Sequence, residues 1–178
     1  MTELDKILGA NEEYYHNFRY GALPIPPARK LAILACMDAR LNVNEVLGLG
    51  TGDAHIIRNA GGIATDDAIR SLIISHELLG TQEFAIINHI DCGMLKFTDT
   101  DLQKELTEKY KSDASEVKFH SFQNLEENVK NQANKIESTP FLPPDIPVYG
   151  FIYDVKTGKI ERVSGNEKTL DKISVTHS

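Results

Sequence analysis

The sequence predicts an α/β fold, a single domain with a central, mostly parallel β-sheet flanked by helices. Short apolar runs recur at residues 31–36, 54–58 and 83–88, as expected of strands buried in a parallel sheet. A helical pattern at residues 65–80 separates the second run from the third, and this alternation favours parallel pairing. Because 178 residues suit one domain, we expect it to span residues 1–178.

The chain starts with a predicted helix over residues 4–18, whose apolar side chains recur at helical spacing: Leu4, Ile7, Leu8, Tyr14, Tyr15 and Phe18. Three prolines follow at Pro24, Pro26 and Pro27, and this segment must be extended. We therefore treat residues 1–22 as a helical arm. Its apolar face has two possible partners, a second subunit or the sheet of its own chain, and the sequence favours neither.

The segment after the second predicted strand contains paired glycines, Gly61 and Gly62, which permit close backbone approach to a ligand. Gly61 is our candidate for lining a substrate pocket. Thr65 is a predicted N-cap, followed by two aspartates that complement the helix dipole. Gly80 is the predicted stop of this helix, and the third strand follows it.

The second half of the chain predicts two more helices and a hairpin. A capping box at Thr100–Gln103 opens a short polar helix, and another helix begins near Ser121. Prolines then prevent further helix, and residues 148–155 and 160–163 form a strand and its hairpin partner around a turn. The polar residues 164–178 are a predicted peripheral tail.

Charge and hydropathy exclude two classes of partner. The formal net charge of −7 argues against binding a nucleic-acid phosphate backbone. No apolar run approaches the roughly 20 residues that cross a bilayer, so we expect no membrane partner. Residues 1–5 lack the features of a secretory signal, and we expect a cytoplasmic protein.

Cys36, His89 and Cys92 are candidate metal ligands. Two of them directly follow or end predicted strands, and sites in open α/β sheets form beyond the carboxyl ends of strands. Two thiolates and one imidazole are a typical Zn²⁺ shell, and three protein ligands leave a fourth position for water, as in catalytic zinc sites. On the residues alone, two buried thiols remain an alternative. A disulfide is disfavoured because nothing suggests secretion.

Three motifs resemble those of the β-carbonic anhydrases. Residues 36–40, Cys-Met-Asp-Ala-Arg, resemble the family's Cys-x-Asp-Ser-Arg motif, with alanine in place of the serine. Residues 89–93, His-Ile-Asp-Cys-Gly, resemble its His-x-x-Cys-Gly, and residues 58–61 resemble its Arg-Asn-Ala-Gly segment. The likeness runs from about residue 24 to residue 97 and resumes at residues 148–163. It implies a β-carbonic anhydrase-like fold.

The resemblance implies one Zn²⁺ per chain, held by Cys36, His89 and Cys92, and hydroxide on zinc as the attacking group. Asp38 would orient this hydroxide, and Arg40 would pair with Asp38 and keep it ionised. A surface ion pair of little consequence is the alternative for these two residues. The resemblance also implies a closed, inactive state, in which Asp38 takes the fourth zinc position and Arg40 is released.

The short chain and residues 51–62 resemble a branch of the family that contains carbonyl sulfide hydrolase and carbon disulfide hydrolase, together with true carbonic anhydrases. The implied substrate is a small linear molecule. Hydrolysis of carbonyl sulfide to CO₂ and H₂S is the leading expectation, followed by CO₂ hydration to bicarbonate. A homodimer or higher even-numbered oligomer is also implied. More remote alternatives are a non-catalytic zinc-stabilised domain and a thiol redox protein that pairs Cys36 with Cys92.

Overall fold

A computed structural model describes residues 1–165, and these contain one five-stranded sheet. The strands are β1 (Leu31–Cys36), β2 (Ala54–Asn59), β3 (Glu83–His89), β4 (Val148–Tyr153) and β5 (Ile160–Ser164). Their order in the sheet is β2-β1-β3-β4-β5. The first four are parallel to their neighbours, and β5 pairs with β4 antiparallel. The predicted mostly parallel sheet is confirmed.

Residues 1–165 also contain five α-helices, of which the third and the fifth pack against the sheet. They are α1 (Glu3–His16), α2 (Val43–Leu47), α3 (Asp66–Glu77), α4 (Asp99–Tyr110) and α5 (Leu125–Glu137). Short 3₁₀ turns follow β2 at Ala60–Gly62 and β3 at Gly93–Leu95. None of the helices in residues 1–165 has both the length and the hydropathy needed to cross a bilayer.

The core has two layers because neighbouring residues of β1 and β3 face opposite sides of the sheet. On one side, α3 and α5 pack in a cluster that includes Leu34, Phe84, Leu72, Ile86 and Ile136. On the other side, the segment around α2 packs in a second cluster that includes Ile33, Leu41, Val43, Ile87 and Tyr153. Both central strands are therefore buried on both faces, which explains why they are almost uninterrupted apolar runs.

Two of the predicted helix starts are wrong. The N-cap of α4 is Thr98, whose side chain accepts a hydrogen bond from the Asp101 amide, rather than Thr100. The N-cap of α5 is Asn124 rather than Ser121. Ser121 lies in the segment before α5, where its amide and hydroxyl both donate to the Asp99 carboxylate, at 2.8 and 2.6 Å.

The helix α3 begins as predicted but ends earlier. The Thr65 side chain accepts a hydrogen bond from the Ala68 amide at the N-cap position. The helix ends at Glu77, and Gly80 lies beyond it in the turn to β3, with φ of 74°. The five-residue α2 was not predicted, since it is too short to show helical periodicity.

The arm helix α1 does not fold back on its own sheet. It has no buried residue, and Leu4, Ile7, Leu8 and Tyr15 are each at least 60% exposed. The folded-back alternative is therefore wrong, whereas packing on a second subunit stays a prediction. At the other end of the chain, Ser164 belongs to β5 rather than to the tail. The rest of the predicted tail, residues 166–178, lies outside the described residues.

Candidate metal centre

The three candidate ligands come together at the carboxyl ends of β1 and β3. Cys36 is the last residue of β1, and His89 is the last residue of β3. These strands are parallel neighbours in register, so their carboxyl ends lie side by side. Cys92 stands three residues after His89, at the start of a 3₁₀ turn. The ligand atoms of all three lie within 4.8 Å of one another, and all three residues are buried.

The geometry of these atoms fits one zinc ion. The His89 Nε2 atom lies 3.2 Å from the Cys36 Sγ atom. In a tetrahedral site with Zn–S of about 2.3 Å and Zn–N of about 2.0 Å, ligand atoms lie about 3.5 Å apart. The other ring nitrogen, Nδ1, is 2.8 Å from the carbonyl oxygen of Ile90. Because a carbonyl only accepts, Nδ1 carries the proton, and the Nε2 lone pair points toward the two sulfurs.

The three side chains shift one another's pKa values. Hydrogen bonding with Cys92 and, when its ring is protonated at both nitrogens, with His89 lowers the pKa of Cys36 to about 4, although burial opposes this. The Cys36 sulfur and burial in turn raise the pKa of Cys92. Burial lowers the pKa of His89, but the hydrogen bonds to Cys36 and Ile90 outweigh it and the net shift is upward. A bound cation would let both sulfurs ionise, which is the chemistry that zinc sites use.

Asp38 and Arg40 form a bidentate ion pair beside this group. The Arg40 Nε and Nη2 atoms donate to the two oxygens of Asp38 at 3.0 and 2.8 Å. Hydrogen bonding from Arg40 holds the pKa of Asp38 well below its usual range, so the carboxylate is ionised. Its Oδ2 atom is 3.6 Å from the Nε2 atom of His89. Arg40 is thus paired with Asp38 rather than released, and the roles of these two residues at a zinc site stay predictions.

Arg58 holds the loop that carries these residues, a role that the sequence analysis missed. Its guanidinium donates to the carbonyl oxygen of Cys36 at 3.1 and 2.8 Å, and to that of Asp38 at 2.7 Å. Arg58 lies in the edge strand β2, opposite Ala35 of β1. Its place in the Arg-Asn-Ala-Gly motif, close to the carboxyl end of a predicted strand, was a usable signal.

The site opens into a cavity of about 340 Å³. Besides the polar residues described above, its lining is apolar and includes Met37, Ala60, Gly61, Met94 and Phe97. Gly61, the predicted pocket residue, has φ of 81°, and a Cβ there would lie only 3.1 Å from the Met94 side chain. The positive φ therefore favours glycine, and a Cβ would also crowd the Met94 side chain. Met94 and Phe97 were not predicted, because their direction depends on the turn after His89.

Comparison with known proteins decides the family. A family model described as carbonic anhydrase matches residues 31–160. The chain is also 43% identical over 168 residues to Beta-carbonic anhydrase 1 of Mycobacterium tuberculosis, covering 92% of this chain and 99% of that protein. The chain belongs to the β-carbonic anhydrase family. The resemblance found in the sequence is thereby confirmed, and β-carbonic anhydrases are zinc enzymes, in agreement with the Cys36–His89–Cys92 group.

Two further relatives show the range of activities near this chain. It is 36% identical over 162 residues to Carbon disulfide hydrolase of Saccharolobus solfataricus, covering 78% of this chain and 79% of that protein. The crystal structure of carbonic anhydrase from Streptococcus mutans superposes with a TM-score of 0.88 at 41% identity, covering 92% and 99% of the two chains. The predicted branch is therefore confirmed, whereas the comparisons do not single out carbonyl sulfide as substrate.

Proposed function

We propose that this protein is a zinc-dependent carbonic anhydrase that converts CO₂ and water to bicarbonate and a proton. One observation carries the proposal: three buried metal-binding side chains lie beside an arginine-paired carboxylate at the mouth of an apolar cavity. Carbonyl sulfide hydrolysis becomes the second candidate. This order reverses the expectation from the sequence, because Beta-carbonic anhydrase 1 of Mycobacterium tuberculosis, at 43% identity, is more similar than Carbon disulfide hydrolase of Saccharolobus solfataricus, at 36%.

Cys36, His89 and Cys92 would hold the zinc ion. When bound, zinc would act as a Lewis acid and make water acidic enough to react near neutral pH. All three side chains are buried, which would limit the access of bulk water to a bound ion. The Nδ1–H donated to the Ile90 carbonyl fixes the His89 ring for this role.

Asp38 would accept a hydrogen bond from the attacking water and so turn its lone pair toward the carbon of the substrate. An acceptor must stay ionised for this task, and the bidentate pair with Arg40 ensures that it does. Arg58 keeps the main chain of this loop in place by binding two of its carbonyl oxygens. The role of Asp38 is thus orientation, and the role of Arg40 is to hold Asp38.

The cavity suits a small linear substrate without charge. Met94 and Phe97 provide an apolar wall that can contact CO₂ but offers no partner to bicarbonate. The same wall is the reason to keep carbonyl sulfide as the second candidate, since a polarizable sulfur packs well against thioether and aromatic groups. In that reaction water attacks the carbon, the C–S bond breaks, and CO₂ and H₂S are released.

We further propose self-association as a homodimer or higher even-numbered oligomer in the cytoplasm. The exposed apolar side chains of α1 support an association surface. Cys36 and Cys92 are both free, and a reducing compartment would keep them able to bind metal.

A paired assay on one zinc-loaded preparation tests the substrate. We expect the kcat/KM for CO₂ hydration, followed by stopped-flow with a pH indicator, to exceed that for H₂S release from carbonyl sulfide by at least about tenfold, a difference of about 1.4 kcal/mol. The His89→Ala variant serves as the inactive control for both reactions. The opposite ratio would make carbonyl sulfide the principal substrate. Absence of both activities from a zinc-replete protein would overturn the proposed function.

A further inference from the structure

We propose that Asp91 is a positioning residue that holds the Arg40 guanidinium in the plane where it pairs with Asp38. The inference rests on the proposed function, in which this pair orients the attacking water. Asp91 lies between His89 and Cys92 in the chain, but its own side chain does not line the cavity. It therefore acts on the site through Arg40.

The contacts of Arg40 show how Asp91 takes part. Arg40 uses Nε and Nη2 on Asp38, as described above, and its remaining nitrogen, Nη1, donates to the Asp91 Oδ2 atom at 3.0 Å. Nη2 also donates to the main-chain oxygen of Asp91 at 3.3 Å. All three guanidinium nitrogens are thus engaged. Because the guanidinium is rigid and planar, contacts on two edges define its orientation, whereas one edge alone leaves it free to pivot.

Asp91 is itself held in the position that makes both contacts possible. Its φ is 54°, a left-handed conformation that few residues other than glycine adopt, although aspartate tolerates it better than most. This conformation presents the carboxylate and the carbonyl oxygen to Arg40 together. The second carboxylate oxygen, Oδ1, accepts a hydrogen bond from Lys96 Nζ at 2.8 Å. Asp91 is therefore bound at both oxygens, between two cations.

Without the contacts to Asp91, the Arg40 guanidinium would lose its orientation easily. Its side chain is 47% exposed, so solvent screens its pair with Asp38 on one side. Further contacts are therefore needed to keep this long side chain in one rotamer. Asp91 and Lys96 extend the pair to a chain of four charged groups, in which the cost of ordering Arg40 is shared.

Two substitutions remove this support without straining the backbone, since glycine and asparagine both adopt left-handed φ readily. In Asp91→Gly we expect kcat for CO₂ to fall about tenfold, and in Asp91→Asn by less than that. KM should stay unchanged in both variants because Asp91 does not touch substrate. Asp91→Glu should recover part of the loss. Zinc content should stay at one ion per chain. Asp67→Asn is the matched control, because its carboxylate pairs with Arg70 at 2.8 Å on the surface, away from the cavity.

The second readout does not depend on turnover. The Nε–H signal of Arg40 in ¹H–¹⁵N NMR spectra, assigned with Arg40→Lys, should be sharp and displaced in the wild type. In Asp91→Gly it should move to the position of freely rotating arginines. An unchanged Arg40 signal together with unchanged kcat in both variants would overturn the proposal. Wild-type protein without turnover would overturn the proposed function instead, and the NMR signal would still decide whether Asp91 positions Arg40.

Discussion

The metal centre and the arm helix α1 differ in how completely one chain supports them. Cys36, His89 and Cys92 are at most 4% exposed, and the sheet, the loop and Arg58 fix their surroundings. In contrast, α1 is well formed, with a capping box at Thr2, but none of its residues is buried. A helix this short is marginal on its own, and its apolar stripe has no partner within the described chain. The metal-binding side chains therefore come together within one chain, whereas the arm is predicted to need a second chain.

The energetic difference between the two regions is substantial. Burying one leucine, isoleucine or phenylalanine side chain is worth about 1.5–3 kcal/mol. The stripe on the arm carries several such residues that are mostly exposed: Leu4, Ile7, Leu8, Tyr14, Tyr15 and Phe18. Covering even half of them would contribute several kcal/mol to association. The residues of the metal centre are already buried, so contact with a partner would add no such stabilisation there.

The largest expected effect follows from removing a metal ligand. Cys36→Ser, His89→Ala or Cys92→Ser should each lose zinc and lower CO₂ hydration by at least about a thousandfold, because a three-ligand site tolerates no deletion. Metal analysis and stopped-flow assays measure both quantities. His76→Ala is the matched control, since His76 bonds to the Thr81 carbonyl away from the cavity. Full zinc occupancy in all three ligand variants would refute the metal assignment.

A smaller effect should follow from breaking the ion pair beside the metal centre. Asp38→Asn should keep zinc but lose about a hundredfold in kcat, since an amide can donate a hydrogen bond and misorient the attacking water. Arg40→Ala should act in the same direction by freeing Asp38. Steady-state kinetics on zinc-replete protein measure kcat in these variants. Substitutions in the surface Asp67–Arg70 ion pair are the control. Rates near wild type in both variants would show that the pair is merely structural.

The smallest effect on activity, but the largest on assembly, is expected at the arm. Deleting residues 1–20 should weaken association and lower activity severalfold, because the active-site cleft is predicted to lie near the subunit boundary. Sedimentation at micromolar concentration measures the first effect. A native protein that is monomeric there and fully active would contradict the contrast between the two regions.

Point variants sharpen the arm prediction. Leu8→Ser with Tyr15→Ser alters the apolar stripe, and both side chains are at least 60% exposed in the single chain. Association should weaken by more than about tenfold if they are buried in an interface. Lys6→Ser with Glu13→Ser changes the opposite face of the helix and should leave association unchanged. Equal effects of the two pairs would mean that the stripe is not the contact surface.

The parts of the fold that the sequence predicted well are those with a local signal. The strands β1 and β3 are nearly continuous apolar runs, because burial on both faces removes any polar alternation. Thr65 was recognised as an N-cap because its bond to the Ala68 amide spans only three residues. The start of α5 was misplaced at Ser121, which binds Asp99, a residue 22 positions away that no local pattern reveals. The start of α4 was misplaced by two residues, although its Thr98 cap is also a local contact, with the Asp101 amide.

By itself, the sequence determined the metal-binding side chains, the strands that carry them and the family. These depend on residue type and short spacing, which are properties of the chain before it folds. Only the tertiary structure decided that Arg58 holds the Cys36 loop, that Met94 and Phe97 form the cavity wall, and that Asp91 contacts Arg40. These contacts join segments 22 to 61 residues apart, and strand register and loop conformation, rather than local sequence, determine which side chains meet there.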